Sequence, residues 1–355
     1  MRAVKLFLLW CAALLAGCGQ PAPWRQESYV FGTRVEIAIV GAPEAQASAA
    51  GNRALREFDR LHRTYHAWQP SELSSLNGAI AQGQPHQVTP ELATFIGEAQ
   101  QISALGEHLF DPGIGQLIAL WGFQTDEIQS RLPDAATLKE TIARRPSIAA
   151  LKIGGSADGK TVTSSNRHVA LDFGGYLKGV ALDRAAASLK QDGIQHALIN
   201  IGGNILAMGN REGSPGGVAW RVGIQHPRPQ SVGGAPLATL ELRDGEAIGT
   251  SGDYHRYFEV DGKRYSHLLD PRSGFPAEGT QALTILIPPA PDAGMRSDAL
   301  SKPIFIAGND WQRVAKKLGV AAVLKVGADG TATATSAMKA RLKIDAPDLK
   351  LQVVD

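Results

Sequence analysis

Four short stretches in the chain gather side chains and turns that phosphate chemistry uses. The first is Asp172-Phe-Gly174-Gly175-Tyr-Leu-Lys178-Gly179, where an apolar strand end (Val169, Leu171) meets a glycine pair and a helix opens. A helix start aims backbone N–H groups and a positive dipole end at one spot. The glycines let a ligand approach the main chain, and Lys178 adds a positive charge. A tight turn with a surface lysine fits the same residues. The second stretch, Asn200-Ile-Gly202-Gly203-Asn204, again closes a strand, and its glycines suit close backbone approach or a plain turn. The third is Thr250-Ser251-Gly252-Asp253-Tyr254, followed after an intervening hairpin by Ser266-His267-Leu-Leu-Asp270-Pro271-Arg272-Ser273-Gly274. It packs hydroxyls, a histidine, carboxylates and an arginine into a short span. Asp270 and Ser273 have the composition of turn caps, and His267, beside an apolar pair, reads equally as a core residue. In the fourth, Arg296-Ser-Asp298-Ala-Leu-Ser301-Lys302-Pro303, Asp298 offers carboxylate oxygens to a hard cation or to a helix cap. Nearer the front, Tyr65 and Trp68 suit stacking on a flat ring or a place in the core.

Regular elements must bring these stretches together. Val35, Ile37 and Ile39 alternate with Arg34, Glu36 and Ala38, which predicts a strand over Tyr29–Val40. Leu55, Phe58, Leu61 and His62 share one face of a helix expected over 45–65. Thr89-Pro90 is an N-cap followed by proline at the first helical position, opening a helix that runs to Gly106. A short helix and a hairpin are expected within 134–165, strands over 197–201, 283–287 and 321–326, and a hairpin turning at Asp261-Gly262. Helices and strands do not alternate strictly, so the pattern predicts an α+β fold rather than a doubly wound parallel sheet.

The N-terminus predicts where the protein works. Arg2 and Lys5 precede an apolar run from Leu6 to Leu15, too short for a stable bilayer span. Small residues follow, ending at Leu15-Ala-Gly-Cys18, the pattern of a signal peptide (residues 1–17) whose cleavage leaves Cys18 to be lipidated. Several acyl chains then anchor the protein to a bacterial envelope membrane, facing the periplasm. Gly19 after the cysteine favours the outer membrane over the inner. Residues 18–27 read as a Pro-containing spacer and 28–355 as the domain. Cys11 and Cys18 are the only cysteines, so the mature domain has no disulfide. Losing Arg2 and Lys5 takes the net charge of +2 to neutrality. No basic stripe points to nucleic acid, and an anionic ligand must be caught by local groups.

Taken in order, these motifs resemble the ApbE-type FAD:protein FMN transferases. The resemblance is carried by Phe31-Gly-Thr33, Ser71-Glu-Leu-Ser-Ser-Leu-Asn77, Phe110-Asp-Pro with Leu120-Trp-Gly-Phe123, Asp172-x-Gly-Gly-x-x-Lys-Gly, Asn200-Ile-Gly-Gly-Asn, Thr250-Ser-Gly-Asp-Tyr, His267-x-x-Asp-Pro-Arg-x-Gly and Ser297-Asp-Ala-Leu-Ser. It covers nearly the whole mature chain. It implies a two-lobed α+β fold of mixed or antiparallel sheets with flanking helices, holding FAD in a cleft between the lobes. It implies an enzyme that moves FMN from FAD to a threonine of an acceptor flavoprotein subunit of a membrane redox complex, releasing AMP. By the same resemblance Tyr65 faces the isoalloxazine ring, and Gly174, Gly175 and Lys178 grip the pyrophosphate. Thr33, Asp172, Gly202, Thr250, Ser251, Gly252, Asp253 and Arg272 add cofactor contacts. His267 is similar to the family's acid/base, and Asp298, with a carbonyl at Gly175, to its Mg²⁺ ligands. The chain departs from the pattern at Lys302, where the family usually has threonine, and in having Phe31 where methionine is common. An ammonium repels Mg²⁺, so Lys302 either points away or takes over the metal's charge. Hydrolysis of FAD to FMN and AMP, or a non-enzymatic FAD-binding assembly role, are the rival implications.

Overall fold

The computed structural model describes residues 23–125, 127–156, 159–228, 236–346 and 349–355. The signal sequence and Cys18 lie outside the described residues. A nine-stranded sheet forms the frame, in the spatial order Trp24–Val30, Thr33–Val40, His196–Ile201, Asn204–Met208, Ala247–Gly252, Thr280–Ile287, Ala322–Gly327, Ala332–Thr335 and Leu351–Val354. Neighbours run antiparallel except the last pair, which is parallel. The fold is α+β, as the mixture of elements predicts.

The first strand starts at Trp24, inside the stretch expected to be a spacer. It pairs with Thr33–Val40 through a turn at Phe31-Gly32, both with positive φ (57° and 67°). Such a turn matches the right-handed twist of a hairpin. Trp24 is held by packing, because its ring lies over Gly51 in the helix Glu44–Thr64, where a Cβ would meet it at 2.2 Å. In the second strand Val35, Ile37 and Ile39 are buried, and so is Ala38 on the other face. The sheet is covered on both sides, which a simple alternation does not anticipate.

One face packs against the helices Glu44–Thr64, Leu177–Gln191 and Ala293–Ile306, forming the main core. Over the other face lies a second core, to which the three-stranded sheet Leu342–Ile344, Ala238–Leu242 and Trp220–Ile224 contributes. A third, smaller cluster gathers Ile114, Leu117, Trp121, Phe123, Leu138, Phe258 and Leu269. Trp121 is its anchor. Its ring stacks on Phe258 and Tyr265 of the hairpin that turns at Asp261-Gly262, and its indole N–H donates to the Gly274 carbonyl at 2.7 Å. That bond ties the His267–Gly274 stretch to the front half of the chain.

The helix beginning at Pro90 is capped as expected, with Thr89 Oγ1 accepting from the Leu92 N–H at 3.2 Å. The helix Ala293–Ile306 is different. Pro303 predicts a break at Lys302, yet the helix continues three residues beyond the proline. Residues 297–306 are all buried. Tertiary burial overrides the local preference of the residue before proline.

Candidate active site

The glycine turns converge. A cleft runs between the ends of the central strands and the third cluster. Thr33, Asp172, Gly174, Gly175, Lys178, Gly202, Thr250, Ser251, Gly252 and His267 all line it. Gly202 reaches this spot because it takes φ +58°, and because a Cβ there would lie 2.6 Å from Thr33 Oγ1. Gly179 permits the helix Leu177–Gln191 to touch the helix Ala293–Ile306, since a Cβ would meet Gly294 O at 2.4 Å. This close crossing puts Lys178 beside Asp298.

Asp298 is fully buried and lies mid-helix, so it caps nothing. Its Oδ2 accepts from the Gly179 N–H at 3.0 Å, and its Oδ1 accepts from Asn204 Nδ2 at 3.1 Å. The Lys302 ammonium donates to Oδ1 and, at 2.7 Å, to the Asp298 carbonyl. Asp and Lys four apart share a helix face, so the pairing is set by spacing. Lys178 Nζ stands 3.9 Å from Oδ1 and also donates to the Gly174 carbonyl. Burial alone would raise the Asp298 pKa, but the two ammoniums outweigh it and hold the carboxylate below its usual range. Burial pushes Lys302 down to about 8, despite the pull of Asp298, so it stays cationic at neutral pH. One carboxylate, Asp298, thus faces two ammoniums at the cleft floor. Asn204 Oδ1 is buried beside them with no hydrogen-bond partner among the described residues.

His267 is held by its Nδ1, 3.1 Å from the Arg256 carbonyl. A carbonyl can only accept, so Nδ1 carries the proton and Nε2 keeps a lone pair. Burial, reinforced by the Arg256 guanidinium, pushes the imidazole pKa down to about 3. The ring is therefore a neutral base through the physiological range. Asp172 accepts from the Gly174 N–H at 2.8 Å, shaping the glycine turn, and burial raises its pKa. Ser251 Oγ contacts Ser301 Oγ at 2.8 Å, and Thr250 Oγ1 contacts Thr284 Oγ1 at 2.9 Å, which fixes the hydroxyl side of the cleft. The opposite wall is apolar, built from Leu109, Phe110, Ile114, Ile118 and Phe123, with the half-exposed Trp68 also lining the cleft.

Two residues expected at the cofactor, Asp253 and Arg272, stand outside the cleft. Tyr65 is buried, edge-on to Phe95, with its hydroxyl donating to Glu91, and it lines an adjoining pocket that shares Trp68, Asp172, Gly174 and Lys178 with the cleft. Asp253 is absorbed by a two-pronged ion pair with Arg228 at 2.8 and 2.7 Å. Arg272 is exposed and paired with Asp270, whose Oδ1 also caps the Arg272 N–H, so the turn reading of Asp270 holds. Sequence reasoning passed over His255 and Arg256, which both line the cleft. Arg256 Nη2 donates to the Phe123 and Thr125 carbonyls, both at 2.9 Å, clamping the apolar wall to the His267 loop. A signal for them was present, since they directly follow Asp253-Tyr254 at a strand end.

The expected Mg²⁺ ligands do not fit a dication. Lys302 fills the space between them: its ammonium contacts Asp298 Oδ1, and its Cε lies 3.3 Å from where a Gly175 Cβ would stand. Mg²⁺ demands oxygen ligands in near-octahedral array, and here the Asp298 oxygens are already taken by N–H donors. Among the described residues there is no group of three His, Cys, Asp or Glu that could hold a metal.

Residues 31–324 match the family model described as the ApbE family. The chain belongs to this family. It is 41% identical, over 91% of its length, to an FAD:protein FMN transferase of Rhodobacter capsulatus, of which it spans 59%. It is 29% identical to one of Klebsiella pneumoniae, covering 92% of this chain and 93% of that one. Among solved structures, the ApbE protein of Thermotoga maritima superposes with a TM-score of 0.79 at 27% identity, over 90% of this chain and 99% of that one. The flavin transferase ApbE of Vibrio cholerae superposes with a TM-score of 0.74, also at 27% identity, over 90% of this chain and 99% of that one. For an ApbE-family chain, the cleft at the convergent glycine turns is the place to seek the flavin.

Proposed function

We propose that this chain transfers FMN from FAD to a threonine of an acceptor protein and releases AMP. The observation that carries the reading is the pair of ammoniums, Lys178 and Lys302, gathered at Asp298 beside glycine turns and a neutral histidine. The bridging diphosphate of FAD suits that floor, and the flat rings suit the apolar wall and Trp68. In the reaction the acceptor hydroxyl oxygen forms a bond to the FMN phosphorus. The bond from that phosphorus to the bridging oxygen breaks, and AMP leaves with the electron pair. The hydroxyl proton passes to His267 Nε2 and from there to water. Such phosphoryl transfer needs alignment and charge neutralisation more than covalent help. His267, as a positioned base, supplies on the order of 10²–10⁴-fold.

The reading extends to place and partner. The Leu15-Ala-Gly-Cys18 signal supports a lipid-anchored protein facing the periplasm, with the outer membrane favoured. The acceptor would then be a flavoprotein subunit of a membrane redox complex. The test incubates the full-length protein, in detergent, with FAD and a candidate acceptor. Covalent flavin fluorescence on the denatured acceptor band, with stoichiometric AMP, is the expected result. AMP and free FMN without a labelled acceptor would mean hydrolysis instead, and intact bound FAD would mean a carrier.

A further inference from the structure

We propose that Lys302 is a built-in counter-cation for the FAD pyrophosphate, so that this protein binds and cleaves FAD without a divalent metal. The proposal rests on the functional reading above and deepens it at one atom, Lys302 Nζ.

The geometry carries it in three steps. First, the ammonium is placed, not free: it donates to both Asp298 Oδ1 and the Asp298 carbonyl, and the side chain is almost entirely buried while lining the cleft. Second, its stem runs against Gly175 and its head against Asp298. A dication bound to Asp298 Oδ1 and the Gly175 main chain would have to displace it, against like charge. Third, two ammoniums converge on one carboxylate oxygen, Lys302 in contact with Asp298 Oδ1 and Lys178 at 3.9 Å from it, and both line the cleft. Two lysines there present point charges well suited to phosphate oxygens. Asp298 in this arrangement orients Lys302 rather than ligating metal, and Asn204 and the Gly179 N–H hold Asp298 in turn.

The experiment measures FAD binding by isothermal titration calorimetry on the full-length protein in detergent, in excess EDTA or excess MgCl₂. AMP release is followed under the same two conditions, and Mn²⁺ binding is followed by electron paramagnetic resonance. The wild type is expected to bind FAD with the same affinity in both conditions, to release AMP equally in both, and to leave Mn²⁺ free. Lys302→Met removes the charge at similar volume. It should weaken FAD binding about tenfold or more, the scale of a close charge pair, with no rescue by Mg²⁺. Lys302→Thr vacates the space beside Asp298 and should make FAD binding Mg²⁺-dependent with a bound Mn²⁺ signal. Loss of wild-type FAD binding or AMP release in EDTA with recovery in MgCl₂ overturns the proposal, as does a bound Mn²⁺ signal in the wild type. These wild-type arms decide the matter even where a variant misfolds. If the wild type binds no FAD in either condition, the functional reading itself fails, a result distinct from metal dependence.

Discussion

His267 shows how burial fixes the charge and tautomer of a side chain. Its Nδ1–H is spent on the Arg256 carbonyl, and burial with the nearby guanidinium holds its pKa at about 3. Two outcomes follow at this scale. His267→Gln keeps a polar side chain of similar reach but no base, and should cut AMP release by roughly 10²–10⁴-fold with little change in FAD affinity. A calorimetric titration beside a steady-state rate separates the two. Because the folded imidazole resists protonation until about pH 3, the rate should show no acid limb near pH 6.5. Stability should behave oppositely. The unfolded chain takes up a proton on His267 below about pH 6.5 that the folded chain refuses, so the fold loses stability as pH falls from there toward 3. Urea melts at a series of pH values would reveal the slope.

At the scale of elements, the site depends on two joints. Gly202 joins the central hairpin to Thr33. Gly202→Ala places a Cβ at a left-handed φ and against a hydroxyl, and should cost about 1–2 kcal/mol from backbone strain alone, with weaker FAD binding besides. Trp121 joins the front of the chain to the His267 loop through the Gly274 carbonyl. Trp121→Phe keeps the stacking on Phe258 and Tyr265 but strands that buried carbonyl, at about 1–3 kcal/mol. Chemical denaturation of both variants, with FAD titration of the folded fraction, checks the pair. The helix Ala293–Ile306 makes the complementary point, since burial on all sides carries it past Pro303 and so keeps Asp298 and Lys302 on one face.

Across the whole molecule, the cleft is lined by residues that also belong to the main core and to the smaller Trp121 cluster. Ligand bound there should hold them together. FAD at about a hundred times its Kd should add about 2.7 kcal/mol to the stability of the native state, read as a rise in Tm that grows with FAD concentration. A chain with no flavin site would melt unchanged. The helices on one side of the nine-stranded sheet deliver Lys178, Asp298 and Lys302 to the cleft, and its strand ends deliver Gly202, Thr250 and Ser251.

The sequence by itself determined what depends on neighbours along the chain. The Thr89-Pro90 start and the Asp261-Gly262 hairpin follow from local sterics and hydrogen bonding, whereas the strand expected at Val169 and Leu171 is reduced to an isolated bridge at Ala170. The order of motifs was enough to suggest the family. Only the tertiary structure decided what depends on burial and partners. It paired the Tyr65 hydroxyl with Glu91 and the Asp253 carboxylate with Arg228, and it brought in His255 and Arg256. It also turned Lys302 inward onto Asp298. Charge and aromaticity are properties of a residue, but whether they face a ligand is settled by which other groups reach them first, and for Tyr65 and Asp253 those groups lie 26 and 25 positions away.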